Sequence, residues 1–551
     1  MGRFRANPFR PLAFLLLWVT LAPAKLQIAP EPCPNFICRI VAYGRIGDLR
    51  WPDFVDCRSR LTAFYAPKYA AAWSENDKPT AKALAMIELL KAADLKGLKP
   101  EDYDADRWDE RIAHLERSQF DVSLTVCLMR YLADLHFGKA NPGFFHLDPK
   151  QQDFDIPTFL RTRLMESAHP NAVIAAEVEP PFDGYKRAQN TLEKYLGLAR
   201  ETQPRLTDIT ATIEPGQSYS ELQLLAQRLR QLGDLPSEKI LPENSTVYRG
   251  FVCEAVKQFQ LRHGLDPDGR IGKATIEQLN VPLTQRVLQL RLALERWRWV
   301  PHSFPHPPIV VNIPEFTLRA LSSAYETELE MKVVVGSAYE NETPVFAANL
   351  THVTFRPYWN VPRGILVNEM GPELSKDRSY LATHRYQLVN AAERVIPTPN
   401  GLTDGMLEGL RMGRYRIRQM PGPDNALGLI RFGLPNAHNV YLHGTPSQSL
   451  FAKSRRDFSH GCVRVERPVQ LAEWCLRDTD SWTSAKILAA MHGAKTFDVD
   501  VKTPIPVLLV YATAIVLQSG VVRFVADIYH QDALLENRLA EGYPSRISAD
   551  P

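Results

Sequence analysis

Four prolines between Pro301 and Pro308 divide this chain into two halves with different rhythms. Before them, apolar residues recur every three or four positions, the spacing of amphipathic helices. From Ile309 onward the period is two, as in strands that bury one face. A run so rich in proline ends helices and withholds backbone donors from a sheet, so it reads as a boundary. At 551 residues the chain is too long for one core and has room for roughly three or four domains. The expected fold class is multidomain α+β, a mostly helical N-terminal part followed by a β part.

Residues from about 45 to 205 read as mostly helical, and 25–210 is taken as one helical domain. Lys82 to Leu95 sets Leu84, Ile87, Leu90 and Leu95 on a helical rhythm that Gly97-Leu98-Lys99-Pro100 stops. Ser123 to Leu135 repeats the pattern, and Gly184 to Leu198 puts Leu192, Tyr195 and Leu196 on one face. From 217 to 282 the signal is sharper. Leu222, Leu225, Leu229 and Leu232 line one helix, Ala255, Val256, Phe259 and Gln260 a second, and Thr275, Ile276 and Leu279 a third. Between the last two, His263 to Gly272 carries three glycines and a proline, the composition of a tight loop. Asp266 and Asp268 invite a calcium reading, but an EF-hand loop needs its glycine at position six and Gly269 falls at position four. Residues 283–308 are a linker. A helix from Leu288 to Trp299 carries Trp297 and Trp299 to pack one domain on another, and the proline run follows.

Beyond the prolines, Ile309 to Ile313, Leu318 to Leu321, Met331 to Val335, His352 to Phe355 and Asn439 to His443 read as strands of an all-β domain over 309–530. Val507 to Leu517 reads as a strand, joined through the tight turn Gln518-Ser519-Gly520 to a second at Val521 to Val525. An insertion of about 363–420, rich in helix formers and basic residues, interrupts the domain, and 531–551 is left as a C-terminal tail.

The N-terminus has the layout of an export signal over residues 1–24. Arg3, Arg5 and Arg10 precede an uncharged apolar run from Leu12 to Ala22, and Ala22-Pro23-Ala24 fits an A-x-A cleavage pattern. The run is shorter than the roughly 20 residues of a membrane span, so no stable span is expected in the mature chain unless this signal is retained. A net charge of +3 from 65 basic and 62 acidic residues excludes a global basic field for nucleic acid, and the Arg411 to Arg418 cluster reads as solvated surface. Seven cysteines is an odd count. Cys33, Cys38 and Cys57 are the group close enough in sequence to pair, while Cys127, Cys253 and Cys475 sit in helical segments as core residues.

Cys462 has company that the other cysteines lack. Tyr441-Leu442-His443-Gly444-Thr445 precedes Ser459-His460-Gly461-Cys462-Val463-Arg464-Val465. Thiol attack requires the thiolate, and a free cysteine with a pKa of about 8.5 needs a basic or cationic neighbour to supply it at neutral pH. Two histidines compete for that role. His460 is two residues away, so an extended backbone would aim it to the same face as Cys462, roughly 6–7 Å off. His443 arrives from another strand. A bare Cys/His pair is more often a buried small hydrophobe beside a core histidine, and only the surrounding pattern argues for chemistry. His438, His443 and His460 lack the short spacings of zinc ligands, so no metal is expected.

The two motifs together resemble the catalytic signature of the L,D-transpeptidases, bacterial enzymes that cross-link peptidoglycan through a cysteine. The resemblance runs from about 309 to 530 and includes Pro357-Tyr358-Trp359-Asn360-Val361-Pro362 and Pro421-Gly422-Pro423 with Asn425-Ala426-Leu427-Gly428. It implies a β-sandwich catalytic domain, with 363–420 as a lid over the cleft. Phe259-Gln260 with Asp268-Gly269, Ile271-Gly272 and Thr275 resembles the small three-helix peptidoglycan-binding domain, and Ala93 to Tyr103 resembles the scaffold region of the larger periplasmic members. The implied reaction is 3→3 cross-linking of stem tetrapeptides, donor and acceptor alike, through a cysteine thioester with loss of D-alanine, in the periplasm or cell envelope. It needs no cofactor, and the absence of a P-loop agrees. Implied roles are Cys462 as nucleophile, His443 as base, the Gly444 carbonyl fixing its tautomer, His460 as orienting residue, and backbone N–H groups at Gly461 and Cys462 as oxyanion donors. Arg464 meets a substrate carboxylate or pairs with Glu466. Tyr441 and Trp359 line the cleft, and Ser459 contacts substrate or bonds locally. With water as acceptor the same chemistry makes a carboxypeptidase. With a protein lysine it anchors proteins to the wall. A non-catalytic wall-binding scaffold is the remaining alternative.

Overall fold

A computed structural model of the protein describes residues 33–140, 154–479 and 482–543; the expected signal segment lies outside them. The N-terminal part is helical, as its rhythm requires. Helix α1 (Ala81–Lys91) begins at Thr80, whose side chain accepts from the Ala83 N–H, and it stops short of Leu95 because a 3₁₀ turn at Ala93–Lys96 takes over before Gly97. Helix α2 (Arg117–Phe137) is buried almost all round and forms the axis of this domain's core. Asp121 on α2 is fully buried and tolerated there because it accepts from the Ala72 and Trp73 N–H groups, the Tyr65 hydroxyl and Ser74. Helix α3 (Asp183–Leu198) closes the region. Cys33 and Cys38 are joined in a disulfide, and Cys57 is a free thiol in the core.

Helices α4 (Leu222–Leu232), α5 (Phe251–Arg262) and α6 (Lys273–Leu279) form the small second domain. Its glycine-rich loop is held by one side chain. Gln260 donates to Asp268 Oδ1 (3.0 Å), the Arg270 carbonyl (2.9 Å) and Thr275 Oγ1 (3.2 Å), and accepts from the Gly269 N–H (2.8 Å). Linker helix α7 (Leu283–Arg298) packs on α3 and carries charge into the junction. Arg298 is fully buried beside Glu295 and the Tyr185 hydroxyl, while Trp297 meets Phe182 at 5.7 Å between ring centroids. The tryptophans do join domains.

After the prolines come β1 (Ile309–Asn312), β2 (Thr317–Leu321), β3 (Thr327–Gly336), β4 (Phe346–Phe355), β5 (Ile430–Gly433), β6 (Leu442–His443), β7 (Asp457–Ser459), β8 (Val463–Val465) and β9 (Phe497–Val510). Their order in the sheet is β7-β3-β8-β6-β5-β4-β9-β1-β2. Strand β2 also pairs with β3, so the sheet closes on itself around a core of Ile309, Val311, Val353, Phe355, Phe432, Leu442 and Val463. The domain is β-rich rather than all-β: α8 (Pro468–Leu476) and α9 (Ser484–His492) contribute Leu471, Cys475 and Ile487 to that core. The apolar run at 507–517 is two elements, since β9 ends at Val510 and a separate hairpin pairs β10 (Ala514–Val516) with β11 (Val522–Phe524) through a turn at Gly520.

The insertion folds around its own core of Leu366, Met370, Leu374, Leu388, Leu407 and Ile417. Its four-stranded sheet runs Trp359–Asn360, Tyr415–Gln419, Tyr386–Asn390, Val395–Ile396, so the subdomain begins at Trp359 rather than at 363. The expected tail starts as helix α10 (Gln531–Ala540). It docks on α7 through Asp532 to Arg296 (2.5 Å) and through Leu535 against Leu292 and Trp299. Among the described residues no helix is long and apolar enough to cross a membrane.

Candidate active site

Three short strands build the site by alternation. In β6, Leu442 points into the core, which sends Tyr441 and His443 to the other face. In β8, Val463 and Val465 are core residues, which sends Cys462 and Arg464 outward. The strands run parallel with Leu442 opposite Val463 and His443 opposite Arg464. In β5, Ile430 and Phe432 face the core, leaving Arg431 outward and opposite His443. Tyr441, His443, Cys462, Arg464 and Arg431 therefore share one outer face. Farther along that row Arg431 donates to Thr354 Oγ1 (3.2 Å), which in turn donates to Asp498 Oδ1 (2.6 Å).

The ring of His443 is buried and its Nδ1 lies 2.6 Å from the Gly444 carbonyl oxygen. A carbonyl only accepts, so Nδ1 carries the proton and the lone pair of the neutral ring is at Nε2. Burial first, and the Arg464 cation second, push His443 down to about 3, against the Gly444 and Leu427 carbonyls that favour its protonated form. Burial likewise raises the Cys462 thiol, opposed by hydrogen bonds from Tyr441 and by Arg464. Both groups thus rest neutral at pH 7, as thiol and imidazole rather than as an ion pair. The sulfur points to the Asn439 carbonyl at 3.8 Å, and burial beside Cys462 raises the Tyr441 phenol.

The loop before Cys462 is fixed by its own polar groups. Ser459 is buried; its hydroxyl donates to the Cys462 carbonyl (2.5 Å) and accepts from the Gly461 N–H (3.2 Å). Gly461 sits at φ 104°, a backbone conformation that favours glycine, and its carbonyl accepts from Thr343 Oγ1 (2.8 Å).

Residues 307–507 match the family model for the L,D-transpeptidase catalytic domain, residues 59–192 that for the Scaffold domain, and residues 218–279 that for the "Putative peptidoglycan binding domain". This chain carries an L,D-transpeptidase catalytic domain and a peptidoglycan-binding domain. A curated relative in Haemophilus influenzae, named "Putative L,D-transpeptidase", is 30% identical over 299 residues, which cover 53% of this chain and 59% of the relative. The matched region thus spans less than two thirds of that relative's length. A solved L,D-transpeptidase from Xylanimonas cellulosilytica (residues 123–326) is 16% identical, with a TM-score of 0.17, and the match covers 55% of this chain and 100% of that one.

Within the transpeptidase domain, Cys462, His443, Tyr441 and Arg464 come together on one face and the Gly444 carbonyl meets His443. Three readings change. His460 does not share the face of Cys462, because the positive φ of Gly461 breaks the extended backbone between them; its Nε2 instead lies 2.6 Å from Glu369 Oε1 of the lid. The Gly461 N–H and the Ser459 hydroxyl are committed to each other and to the Cys462 carbonyl. Trp359 pairs with Gln419 in the lid sheet and packs in the lid's own core. Arg464 has no ion pair among the described residues, with Glu466 instead near Arg467 and the Lys332 N–H. Arg431, Thr343 and Glu369 escaped the sequence reading. An arginine alternating with Ile430 and Phe432 was the one available signal for Arg431; Thr343 and Glu369 carry none.

Proposed function

We propose that this chain is an exported L,D-transpeptidase that forms 3→3 cross-links in peptidoglycan through Cys462. The observation that carries the reading is the shared outer face of Cys462, Tyr441, His443 and Arg464, with His443 Nδ1 tied to the Gly444 carbonyl. Cys462 Sγ attacks the carbonyl between the third residue of a stem tetrapeptide and its terminal D-alanine. The thiol proton passes to His443 Nε2 as the S–C bond forms. Collapse of the tetrahedral adduct breaks the C–N bond, and the same proton leaves on the amine of D-alanine. An amine of a second stem then attacks the thioester; its proton returns through His443 to the departing sulfur. One amide replaces another, so no external energy source enters. The resemblance implies meso-diaminopimelate as third residue and as source of the acceptor amine.

Because His443 and Cys462 rest neutral, the proton moves with the attack rather than before it, and with the Gly461 N–H already bonded to Ser459 the oxyanion is assigned to the Cys462 N–H. Arg464 supplies positive charge beside the thiolate and a fork for a substrate carboxylate. The lid's Glu369 contact with His460 favours an amine over water as second nucleophile, since a closed lid excludes water from the thioester.

Mass spectrometry of the purified protein with a disaccharide-tetrapeptide, beside Cys462→Ala, tests the reading. A dimer lacking one D-alanine, made by wild type alone, is the expected product. A tripeptide monomer alone makes the enzyme a carboxypeptidase, and identical spectra for both proteins overturn the cysteine mechanism.

A further inference from the structure

The outer row of the sheet holds a residue that the proposed reaction has not used. Arg431 and Arg464 stand on opposite sides of His443, each directly across from it in register, on β5 and β8. Two strand spacings put their backbones about 10 Å apart, well within the span of two arginine side chains. Neither guanidinium has an ion pair among the described residues, and each keeps a buried Nε with no hydrogen-bond partner. Burial lowers the pKa of Arg464, the signature of a desolvated cation without a counter-ion. Arg431 is not loose: Thr354, itself bonded to Asp498, accepts from one terminal nitrogen, and the guanidinium carbon lies 5.8 Å from the Tyr441 ring centroid. Two half-buried cations thus stand on either side of His443, Arg464 beside the Cys462 thiol and Arg431 over the Tyr441 ring, and the acid of this row, Asp498, reaches Arg431 only through Thr354. A carboxylate held between the two strands would accept from both forks.

We infer that Arg431 and Arg464 form a carboxylate clamp, with Arg431 the specificity-determining half, which selects donors bearing a free carboxylate on the residue that follows the scissile amide. The inference rests on the acyl-transfer reading above and adds what the site demands of its donor. A terminal D-alanine offers that carboxylate one residue beyond the attacked carbonyl, on the leaving side. The clamp sets the scissile bond beside Cys462 and makes the enzyme act at chain ends rather than inside longer peptides.

The test compares release of the leaving group from two donors, a tetrapeptide ending in free D-alanine and the same peptide ending in D-alaninamide. Wild type is expected to prefer the free acid by about 10- to 100-fold in kcat/KM, the range for losing hydrogen bonds to a charged group. In Arg431→Gln the preference collapses through a raised KM for the free acid; Arg431→Lys, which keeps the charge and loses the fork, recovers part of it. Equal use of the two donors by wild type overturns the clamp without any variant having to fold. An unchanged preference in Arg431→Gln overturns the role of Arg431. If wild type releases nothing from either donor while iodoacetamide still alkylates Cys462, the acyl-transfer reading itself fails and the clamp with it.

Discussion

Glu369 in the lid and His460 in the loop before the nucleophile meet at 2.6 Å, Oε1 to Nε2, across the boundary between two separately packed cores. Both side chains are substantially exposed, 55% and 40%. Exposed pairs are worth at most about 1 kcal/mol, so this contact biases the lid rather than locking it.

Removing it should therefore change the partition of the thioester more than its formation. Glu369→Gln and His460→Ala are each expected to raise the ratio of tripeptide to cross-linked dimer about two- to fivefold, with Cys462 acylation little changed, because a shift of up to about 1 kcal/mol is a factor of about five. Product ratios on the disaccharide-tetrapeptide check this. The same ratios for wild type and both variants would mean that the contact does not govern closure.

The depressed His443 has a consequence for stability. Its folded pKa lies near 3, below the value of about 6.5 in an unfolded chain. Between pH 3 and 6.5 the unfolded state therefore binds more protons, and stability rises with pH across that window. His443→Asn removes the titration. The difference in urea stability between wild type and this variant should grow in favour of wild type from pH 4 to 6.5 and stay flat above 7. A difference independent of pH would show that the buried ring is not the titrating group.

The sequence made the β part legible wherever alternation met a core. Val311, Phe355 and Val463 could sit on one side alone, and that side fixed where Cys462 and His443 point. The helical rhythm worked equally well for α4, whose leucine stripe is buried as spaced. The failures share a cause: local period says nothing about a single bond that turns the chain, or about partners far away in sequence. One positive φ at Gly461 redirected His460, and a lid residue 91 positions away took it. Likewise Trp359 lay next to the expected insertion, but its pairing with Gln419 places it inside.

Thr343 is the hidden support of the nucleophile loop. Its fully buried hydroxyl accepts from the Gly336 N–H (2.8 Å) and donates to the Gly461 carbonyl (2.8 Å). Thr343→Val keeps the shape and leaves both backbone groups unpaired, a cost of about 1–3 kcal/mol each. Loss of stability of that order is expected, together with a fall in kcat that Thr343→Ser restores by rebuilding the bridge. A Val variant with wild-type kcat would show that the loop holds its position without Thr343.

Gly433 follows the Phe432–Leu442 pair that joins β5 to β6 and lies opposite His352 on β4. A Cβ built on Gly433 would run into the His352 ring, which lies across the strand where a side chain would stand. Gly433→Ala should therefore behave as overpacking, destabilising by about 1–3 kcal/mol and disturbing the Tyr441 side of the site. His352→Ala vacates the space, so the double variant should recover most of the loss, and the coupling energy from a thermal-unfolding cycle should be at least about 1 kcal/mol. Additive single effects would mean that the ring and the missing side chain do not compete for one place. In that case the glycine at 433 answers to its own backbone.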